Sequence, residues 1–553
     1  MAAIRIDGFK GLAPAVSPIK LADGAAQSSL NARVESTSLV PEKAETTVEA
    51  LPSGTKSFYK WRDLYWVTSS SDEYIVESPV ANDIHKRIYL AGGTYPRYSA
   101  LTQAISGHDN TAALATEPRI PTNSYRLGVP APTFTPTVTV SGTANEDAAE
   151  ITTAYVFTYV TAYGEEGPPS PVSSFVTFEE GETRTITVAN APSGNYNFGS
   201  GALVRLYRTA TGNTGTEFLF VDEAAIGTTS FTDSELDRDL GEVMPSTNWY
   251  RPLDDDTSYA PDGPLKKIVM MPDGFLAGFA GRVVCFSEQY LPHAWNPNNS
   301  LVTESEIVTI QDSTFGLVVL TQTRPYVAVG SAPDVMGLSK LDVDQSCASA
   351  ESVADLSGTV IYASPDGLVG ITGNQAQLLT DGLITRDQWQ DYDPTSIRGV
   401  VFENRYFAFY DNGTTSRCLV YDPASADAPF MEIDFHIDGH HVSAKDDILY
   451  LNMDVSGTPT LKTYGTGSTR SVTWKSKQFF MPVDTTFSWG RVIADGDMYL
   501  RVYVDSTQVF GALISDSEPF RLPAETRGRI IEVQISGVYR VDSIALASER
   551  GEV

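Results

Sequence analysis

Apolar residues alternate with polar ones in short runs along most of this chain, and clusters of Asp, Gly and Ser separate the runs. In five places a run, a turn cluster and a second run follow one another, at a spacing of 42 to 46 residues. A period of two is typical of strands, and Asp/Gly clusters are typical of hairpin turns, so each segment predicts strand, turn and strand. The five segments are Asp273–Ser287, Ser313–Gly330, Ser357–Gly373, Glu403–Asp422 and Lys445–Gly465, with anchors at Phe275, Leu317, Val360, Tyr406 and Ile448.

This repeat length is typical of β-propeller blades. A four-stranded blade cannot bury both of its faces alone, so such units close into a ring. We therefore predict an all-β fold, with a β-propeller of about six blades. Residues 249–470 supply five of them. Residues 51–129 supply the first part of the propeller, through strands at Phe58–Trp61, Leu64–Val67 and Arg87–Leu90.

Residues 130–248 have a different character and open with Pro130-Ala131-Pro132. Tyr155, Phe157 and Tyr159 share one face of a strand, and about seven short strands are expected. This pattern predicts a fibronectin III-like β-sandwich, and the segment contains no cysteine for an immunoglobulin disulfide. We expect it to be inserted between blades, because the ends of such a sandwich can lie close together.

The two ends of the chain predict two further units. Residues 471–553 predict a small C-terminal β-domain, because apolar residues alternate at Leu500–Val504 and Ile531–Ile535. Residues 1–50 are rich in Gly, Pro, Ala and Ser. They predict an extended N-terminal arm that packs between subunits or on a platform above them, because they contain too few apolar residues to form a core alone.

The composition restricts the function. The 553 residues include 69 acidic and 39 basic ones, a net charge of −30, so the chain as a whole is no electrostatic match for DNA or an anionic membrane. The surplus serves solubility or forms a functional negative wall. Cys285, Cys347 and Cys418 predict buried, reduced thiols. Charged residues interrupt the N-terminus and no apolar run is long enough for a membrane span, so we expect assembly in a cytoplasm.

Four clusters are candidates for chemical sites. Ser364–Gly367 begins the aspartate-box pattern of sialidase-like blades but breaks it, and a Pro-Gly turn explains it. Asp254–Asp256 and Asp446-Asp447 lack the alternating spacing of a calcium loop and predict solvated turns. His436, His440 and His441 flank an Asp-Gly turn and lack further zinc ligands. We therefore predict no enzyme, no catalytic, cofactor-binding or metal-binding residues, and no cofactor.

Several tracts resemble the tail nozzle proteins of short-tailed bacteriophages, a family also described as tail tubular protein B-like. The resemblance extends over most of the chain and rests on packing and turn motifs. Its tracts are Gly8–Gly11 with Ala26–Ser28 and Asn31-Ala32, Leu320–Tyr326 ending at Gly330, Val360–Leu368, Trp474–Lys477 and Phe520–Pro523. It implies a structural virion protein in the tail, assembled in the host cytoplasm. It further implies a hexameric ring below the portal and adaptor proteins, in contact with tail fibres or tail tip proteins, through which phage DNA is ejected.

The charge is consistent with that implication. Duplex DNA carries about one charge per 1.7 Å, and the screening length is about 8 Å at physiological salt, so an acidic wall lets the polymer slide where a basic wall holds it. The alternative is a carbohydrate-binding or carbohydrate-cleaving β-propeller protein, which the missing signal peptide disfavours. A third class, the protein-interaction propellers, is disfavoured because no WD or GH pair marks the blades.

Overall fold

A computed structural model describes residues 3–62, 65–101, 124–145, 147–210, 217–425, 427–524 and 527–553. Its regular structure is nearly all antiparallel β-sheet, so the predicted all-β class is confirmed. Leu64 and residues 102–123 of the predicted first propeller part lie outside the described residues. The only α-helix among the described residues is α1 (Arg386–Gln390), and short 3-10 turns occupy Asp237–Asp239, Pro333–Val335, Ala350–Ser352, Pro394–Ser396 and Arg550–Glu552.

The N-terminal segment forms five strands that pair with distant parts of the chain. They are β1 (Ala3–Ile6), β2 (Ala26–Leu30), β3 (Ala32–Glu35), β4 (Ser38–Pro41) and β5 (Thr46–Ala50). β1 and β4 pair with residues 541–547, and β2 pairs with residues 473–476. The composition of residues 1–50 predicts an extended arm, but these residues form paired strands. The few apolar residues, among them Ile4, Ile6 and Phe9, are buried because the C-terminal strands complete their core.

Two sheets follow the N-terminal strands. β6 (Ser57–Trp61) and β7 (Tyr65–Ser69) form a two-stranded hairpin. Sheet I contains β8 (Tyr74–Glu77), β9 (Ile88–Ala91), β10 (Arg97–Ser99) and β11 (Tyr125–Arg126), in that order. The sequence analysis placed Phe58–Trp61 and Arg87–Leu90 in one blade. That grouping is wrong, because the two runs lie in different sheets that pack face to face through Trp61 and Leu90.

Residues 130–248, called the inserted module below, contain eight strands among their described residues. They are β12 (Thr137–Gly142), β13 (Ile151–Thr153), β14 (Tyr155–Val160), β15 (Val176–Phe178), β16 (Glu182–Thr187), β17 (Leu203–Thr209), β18 (Phe218–Ala225) and β19 (Ser230–Asp233). The sheet β12-β16-β19 and the sheet β14-β17-β18 enclose a core of their own. As expected from the alternation, Tyr155, Phe157 and Tyr159 lie in this core, whereas Val156 packs on the other side of the strand.

The next three sheets are four-stranded meanders. Sheet II contains β20 (Lys267–Met270), β21 (Leu276–Ala280), β22 (Val283–Glu288) and β23 (Leu291–Val302). Sheet III contains β24 (Ile307–Ser313), β25 (Gly316–Thr321), β26 (Tyr326–Val329) and β27 (Gly337–Lys340). Sheet IV contains β28 (Ala354–Leu356), β29 (Thr359–Ser364), β30 (Gly367–Thr372) and β31 (Gln375–Leu378).

Two more four-stranded sheets complete this series. Sheet V contains β32 (Arg398–Phe402), β33 (Arg405–Asp411), β34 (Ser416–Tyr421) and β35 (Phe430–Ile433). Sheet VI contains β36 (Gly439–Ser443), β37 (Ile448–Val455) and β38 (Thr458–Thr463), and N-terminal β5 is its fourth strand. In sheets II to VI, the five predicted strand-turn-strand segments are the two central strands, paired as predicted.

The hairpin and sheets I to VI pack against one another in a cycle. A cluster of buried apolar side chains fills each of the seven interfaces, and the last interface returns from sheet VI to the hairpin. First strands of successive sheets contact each other from sheet I to sheet VI, and β36 contacts β6. Because β5 lies at the far edge of sheet VI, the N-terminal segment ties the end of the series to its beginning.

The C-terminal strands combine with the N-terminal ones. They are β39 (Val472–Ser476), β40 (Phe479–Thr486), β41 (Trp489–Ala494), β42 (Met498–Val504), β43 (Thr507–Ile514), β44 (Phe520–Arg521), β45 (Arg527–Gly537) and β46 (Val541–Ala547). One sheet contains β1, β3 and β4 with β41, β44 and β46, and the other continues from sheet V through β2 to β39, β45, β42 and β43. Leu500, Val502 and Val504 are buried, as are Ile531, Val533 and Ile535, as the alternation predicted.

Candidate functional site

Charged and polar side chains from sheets I, II, III and V and from the turn before sheet IV meet where the first strands of the cycle converge. This central cluster consists of Asp72, Tyr74, Lys267, Thr309, Glu351 and Arg398. Tyr74 lies on β8, Lys267 on β20, Thr309 on β24 and Arg398 on β32, while Glu351 lies in the 3-10 turn before β28. In a strand every second side chain faces the same way, so each first strand contributes side chains to the middle of the cycle.

The central cluster is held by hydrogen bonds and ion pairs between sheets. The Tyr74 hydroxyl donates to the Glu351 carboxylate. The Arg398 guanidinium donates to Asp72 Oδ1 at 3.2 Å and lies 3.5 Å from Glu351 Oε2. Lys267 Nζ donates to Thr309 Oγ1 at 3.3 Å and lies 4.7 Å from the centre of the Tyr74 ring. These contacts connect sheets I, II, III and V with the turn that precedes sheet IV.

Two cavities flank the central cluster. One, of about 390 Å³, is lined by residues of the hairpin and of sheets I, II, III and VI, including Tyr59, Tyr74, Asp312 and His440. The other, of about 380 Å³, is lined by Asp72, Tyr74, Lys267 and Thr309 among others. Tyr74 lines both cavities, which therefore lie next to each other at the central cluster.

Burial controls the protonation of the cluster. Desolvation lowers the pKa of Lys267 to about 8, against the smaller opposing attraction of Glu351 and Asp312. It also raises the pKa of Tyr74 well above its ordinary value, and nearby Glu351 raises it further. Desolvation lowers the pKa of His440 to about 4, so its imidazole is neutral at pH 7. The shifts of Lys267 and Tyr74 come mainly from burial, whereas the side chains of Asp72, Glu351 and Arg398 are 37%, 26% and 23% exposed.

The acidic turns proposed from the sequence are neutralised by neighbouring cations. Arg251 pairs with Asp254 at 3.1 Å and with Asp256 at 2.6 Å, and Arg126 pairs with Asp255 at 2.6 Å. Asp446 pairs with Lys60 of the hairpin at 3.0 Å, and adjacent Asp447 has a φ of 51° in the turn between β36 and β37. These contacts are those of structural turns.

The three histidines do not converge. His436 precedes β36, whereas His440 and His441 are successive residues of β36, and successive residues of a strand point to opposite faces. His441 packs edge-on against Tyr59 at a ring distance of 4.9 Å. Among the residues that the structure describes, no group of His, Cys, Asp and Glu has the geometry of a metal site.

The remaining candidates behave as predicted from the sequence. Ser364 and Gly367 close the hairpin between β29 and β30, and the Ser364 hydroxyl accepts from the Asp366 and Gly367 amides. The three cysteines are buried and unbridged, and burial raises the pKa of the Cys285 and Cys347 thiols to about 12. Within the described residues, no helix is long and apolar enough to cross a membrane.

A buried ionic junction fixes the inserted module to sheet I. Arg87 pairs with Glu165 of the module at 2.6 Å and with Asp83 at 2.8 Å, and His85 stacks on Tyr163 at a ring distance of 3.9 Å. Desolvation raises the pKa of Asp83, but hydrogen bonds from Arg87 and His85 and the charge of Arg87 together lower it to about 2. This junction was not predictable from the sequence, because Arg87 and Glu165 are 78 residues apart and belong to no motif.

The comparisons with known proteins yield only distant structural similarities. No family model matches the chain, and no curated protein matches it. PorZ of the type-IX secretion system of Porphyromonas gingivalis is 11% identical, with a TM-score of 0.27, over 94% of this chain and 76% of that one. The extracellular domain of a putative one component system from B. thetaiotaomicron is 11% identical, with a TM-score of 0.26, over 71% and 47%. A β-propeller domain from Myceliophteria thermophila is 10% identical, with a TM-score of 0.23, over 51% and 96%.

Proposed function

We propose that this chain is a structural tail protein of a short-tailed bacteriophage, a subunit of the ring-shaped nozzle through which DNA leaves the particle. In this proposal the cycle of the hairpin and six sheets is a β-propeller, the inserted module is a fibronectin III-like sandwich at its side, and six copies form the ring. The ring lies below portal and adaptor proteins and contacts tail fibres or tip proteins.

The proposal is supported mainly by where the resembling tracts lie. Tracts from the two ends of the chain meet: Phe9 packs edge-on against Trp474 at a ring distance of 5.0 Å, and the Trp474 indole donates to the Lys10 carbonyl at 3.1 Å. A Cβ at Gly11 would lie 2.1 Å from the Phe430 carbonyl oxygen, so only glycine fits there. Two of the resembling tracts, Gly8–Gly11 and Trp474–Lys477, therefore belong to one spatial unit.

The central cluster restricts where DNA can pass. Asp72 pairs with Arg398 and Tyr74 donates to Glu351 across the middle of the cycle, and these contacts would have to break before a duplex could pass there. A conduit for DNA must then lie between copies of the chain. This agrees with a ring of subunits, in which each propeller is a wall element.

Electron microscopy of the purified chain, alone and with portal and adaptor proteins, tests the proposal. We expect six-fold rings that add to the portal complex and enclose a channel wider than a duplex. Immunogold labelling of particles should place the chain at the tail. A chain that stays monomeric in both conditions and is missing from particles would refute the proposal. Turnover of glycans by the purified chain would favour the carbohydrate-cleaving alternative.

A further inference from the structure

A cleft lies where the inserted module joins the cycle of sheets. Its volume is about 580 Å³, which falls within the range of small-ligand sites. The segment that enters the module, Pro130–Thr133, forms one part of the wall, and the segment that leaves it, Tyr250–Tyr259, forms another. Tyr159 of β14 and Tyr196 of the loop before β17 also line it. The wall thus combines four tyrosine side chains with proline.

Several wall groups are already committed to the fold. The Tyr159 hydroxyl donates to the Asn190 carbonyl at 2.8 Å, and the Tyr259 hydroxyl donates to the Arg251 carbonyl at 2.6 Å. Arg251 itself is bound by Asp254 and Asp256 at 3.1 and 2.6 Å. These donors are therefore not available to a ligand, and they hold the tyrosine rings in fixed positions.

The other polar side chains of the wall are the Asp256 carboxylate, which only accepts hydrogen bonds, and hydroxyl and amide groups, which both donate and accept. Hydrogen bonds from Ser258 and Arg251 lower the pKa of Asp256 to about 2, so its exposed carboxylate is ionised at neutral pH. The Tyr250 hydroxyl and the side chains of Asn190 and Ser193 have no hydrogen-bond partner within the described part of the chain. An occupant must then supply a donor to Asp256, donors and acceptors to the other groups, and apolar faces to the tyrosine rings.

We propose that this cleft binds a neutral oligosaccharide, whose hydroxyl groups both donate and accept and whose ring faces stack on the tyrosines. A proline-rich peptide fits less well, because its carbonyls can accept from the hydroxyl and amide groups but it has few N–H donors for the Asp256 carboxylate. Single-stranded nucleic acid also stacks on aromatic rings, but it needs a basic groove. Here two guanidinium groups, of Arg126 and Arg251, face the three carboxylates of Asp254–Asp256.

Saturation-transfer NMR on the purified full-length chain tests the proposal. The probes are trisaccharides of glucose, of galactose and of N-acetylglucosamine, each at up to about 20 mM, which suffices to detect millimolar dissociation constants. Decaproline and a ten-nucleotide thymidine strand represent the two competing ligand classes. We expect at least one trisaccharide to bind and neither competitor to do so.

Two cleft variants and one control variant test whether the sugar binds in this cleft. Tyr250→Ala should weaken sugar binding about tenfold, because a stacking surface is lost. Asn190→Ala, an exposed position with little risk to folding, should also weaken it. Tyr539→Ala removes an exposed tyrosine of the C-terminal part and should leave binding unchanged. The proposal is overturned if no trisaccharide binds, if decaproline or the thymidine strand binds instead, or if binding survives both cleft variants. None of these outcomes affects the proposed nozzle role, which depends on assembly.

Discussion

Lys267 is a buried cation at the centre of the cycle, and no carboxylate lies within ion-pair distance of it in the described residues. Its hydrogen bond to Thr309 and its position over the Tyr74 ring offset only part of the cost of removing an ammonium group from water. Its pKa of about 8 lies below the ordinary value near 10.4, so the unfolded chain binds more protons between these two values. Stability should therefore rise with pH across that window.

Replacing Lys267 by Met should stabilise the protein by about 1–2 kcal/mol at pH 7, because an uncompensated buried charge is replaced by an apolar chain of similar length. The rise in stability between pH 8 and 10 should disappear in the variant. Denaturant unfolding at several pH values measures both effects. Lys266→Met, at the exposed neighbouring position, is the control and should change little.

Destabilisation by Lys267→Met would contradict this view. It would mean that Lys267 contributes to holding Glu351 and Tyr74 in place.

The central cluster itself could not be predicted from the sequence. Tyr74 and Glu351 are 277 residues apart, and Arg398 and Asp72 are 326 apart. No local pattern specifies which first strands become neighbours.

At the scale of elements, the central hairpins of sheets II to VI were predictable because both of their faces are buried between sheets. Their residues form apolar runs bounded by turn residues, as in Leu276–Ala280. The first strands were missed, because side chains such as Lys267, Thr309 and Arg398 interrupt the apolar pattern where the strands reach the centre. β5 was missed because its pairing with β38 depends on residues more than 400 positions away.

The N-terminal segment gives a second prediction. Phe9→Ala should destabilise the protein by about 3–5 kcal/mol, because Phe9 is 2% exposed and packs against Trp474. Ile19→Ala, at a position that is 41% exposed, should change the free energy of unfolding by no more than about 0.5 kcal/mol. Thermal unfolding of the full chain compares the two. Equal, small effects would restore the interpretation of residues 1–50 as an arm that folds only against other subunits.

The inserted module gives a third prediction. Its core is separate from those of the sheets, so residues 130–248 expressed alone should give a β-type circular dichroism spectrum and a cooperative thermal transition. The isolated module lacks Arg87, so Glu165 becomes exposed to water, which hydrates its charge. Loss of the ion pair between Arg87 and Glu165 should therefore not prevent folding. A disordered product would show that the module depends on sheet I.

At the scale of the whole molecule, the acidic surplus has its proposed function only where copies of the chain face DNA. At the centre of the cycle the Asp72 and Glu351 carboxylates pair with Arg398, so in the proposed ring we do not expect them to contact DNA. Exposed carboxylates are the relevant ones. Asp342 and Asp23, whose side chains are almost fully exposed, are the starting points for a search of the channel wall in the assembled ring.

The last prediction concerns carboxylates at two locations, the channel wall of the assembled ring and the inside of the cycle. Replacing carboxylates that face the channel of the assembled ring by Lys should slow DNA release, because each new phosphate contact adds binding free energy and a counterion-release contribution. The defect should weaken as salt rises, while particle assembly stays normal. Asp312→Asn, beside the central cluster, changes a carboxyl inside the cycle and should leave the release rate unchanged at every salt concentration. Single-particle fluorescence of DNA release measures both variants. If the channel variants release DNA at the normal rate in low salt, the acidic wall has no electrostatic role, and passage depends on the width of the channel alone.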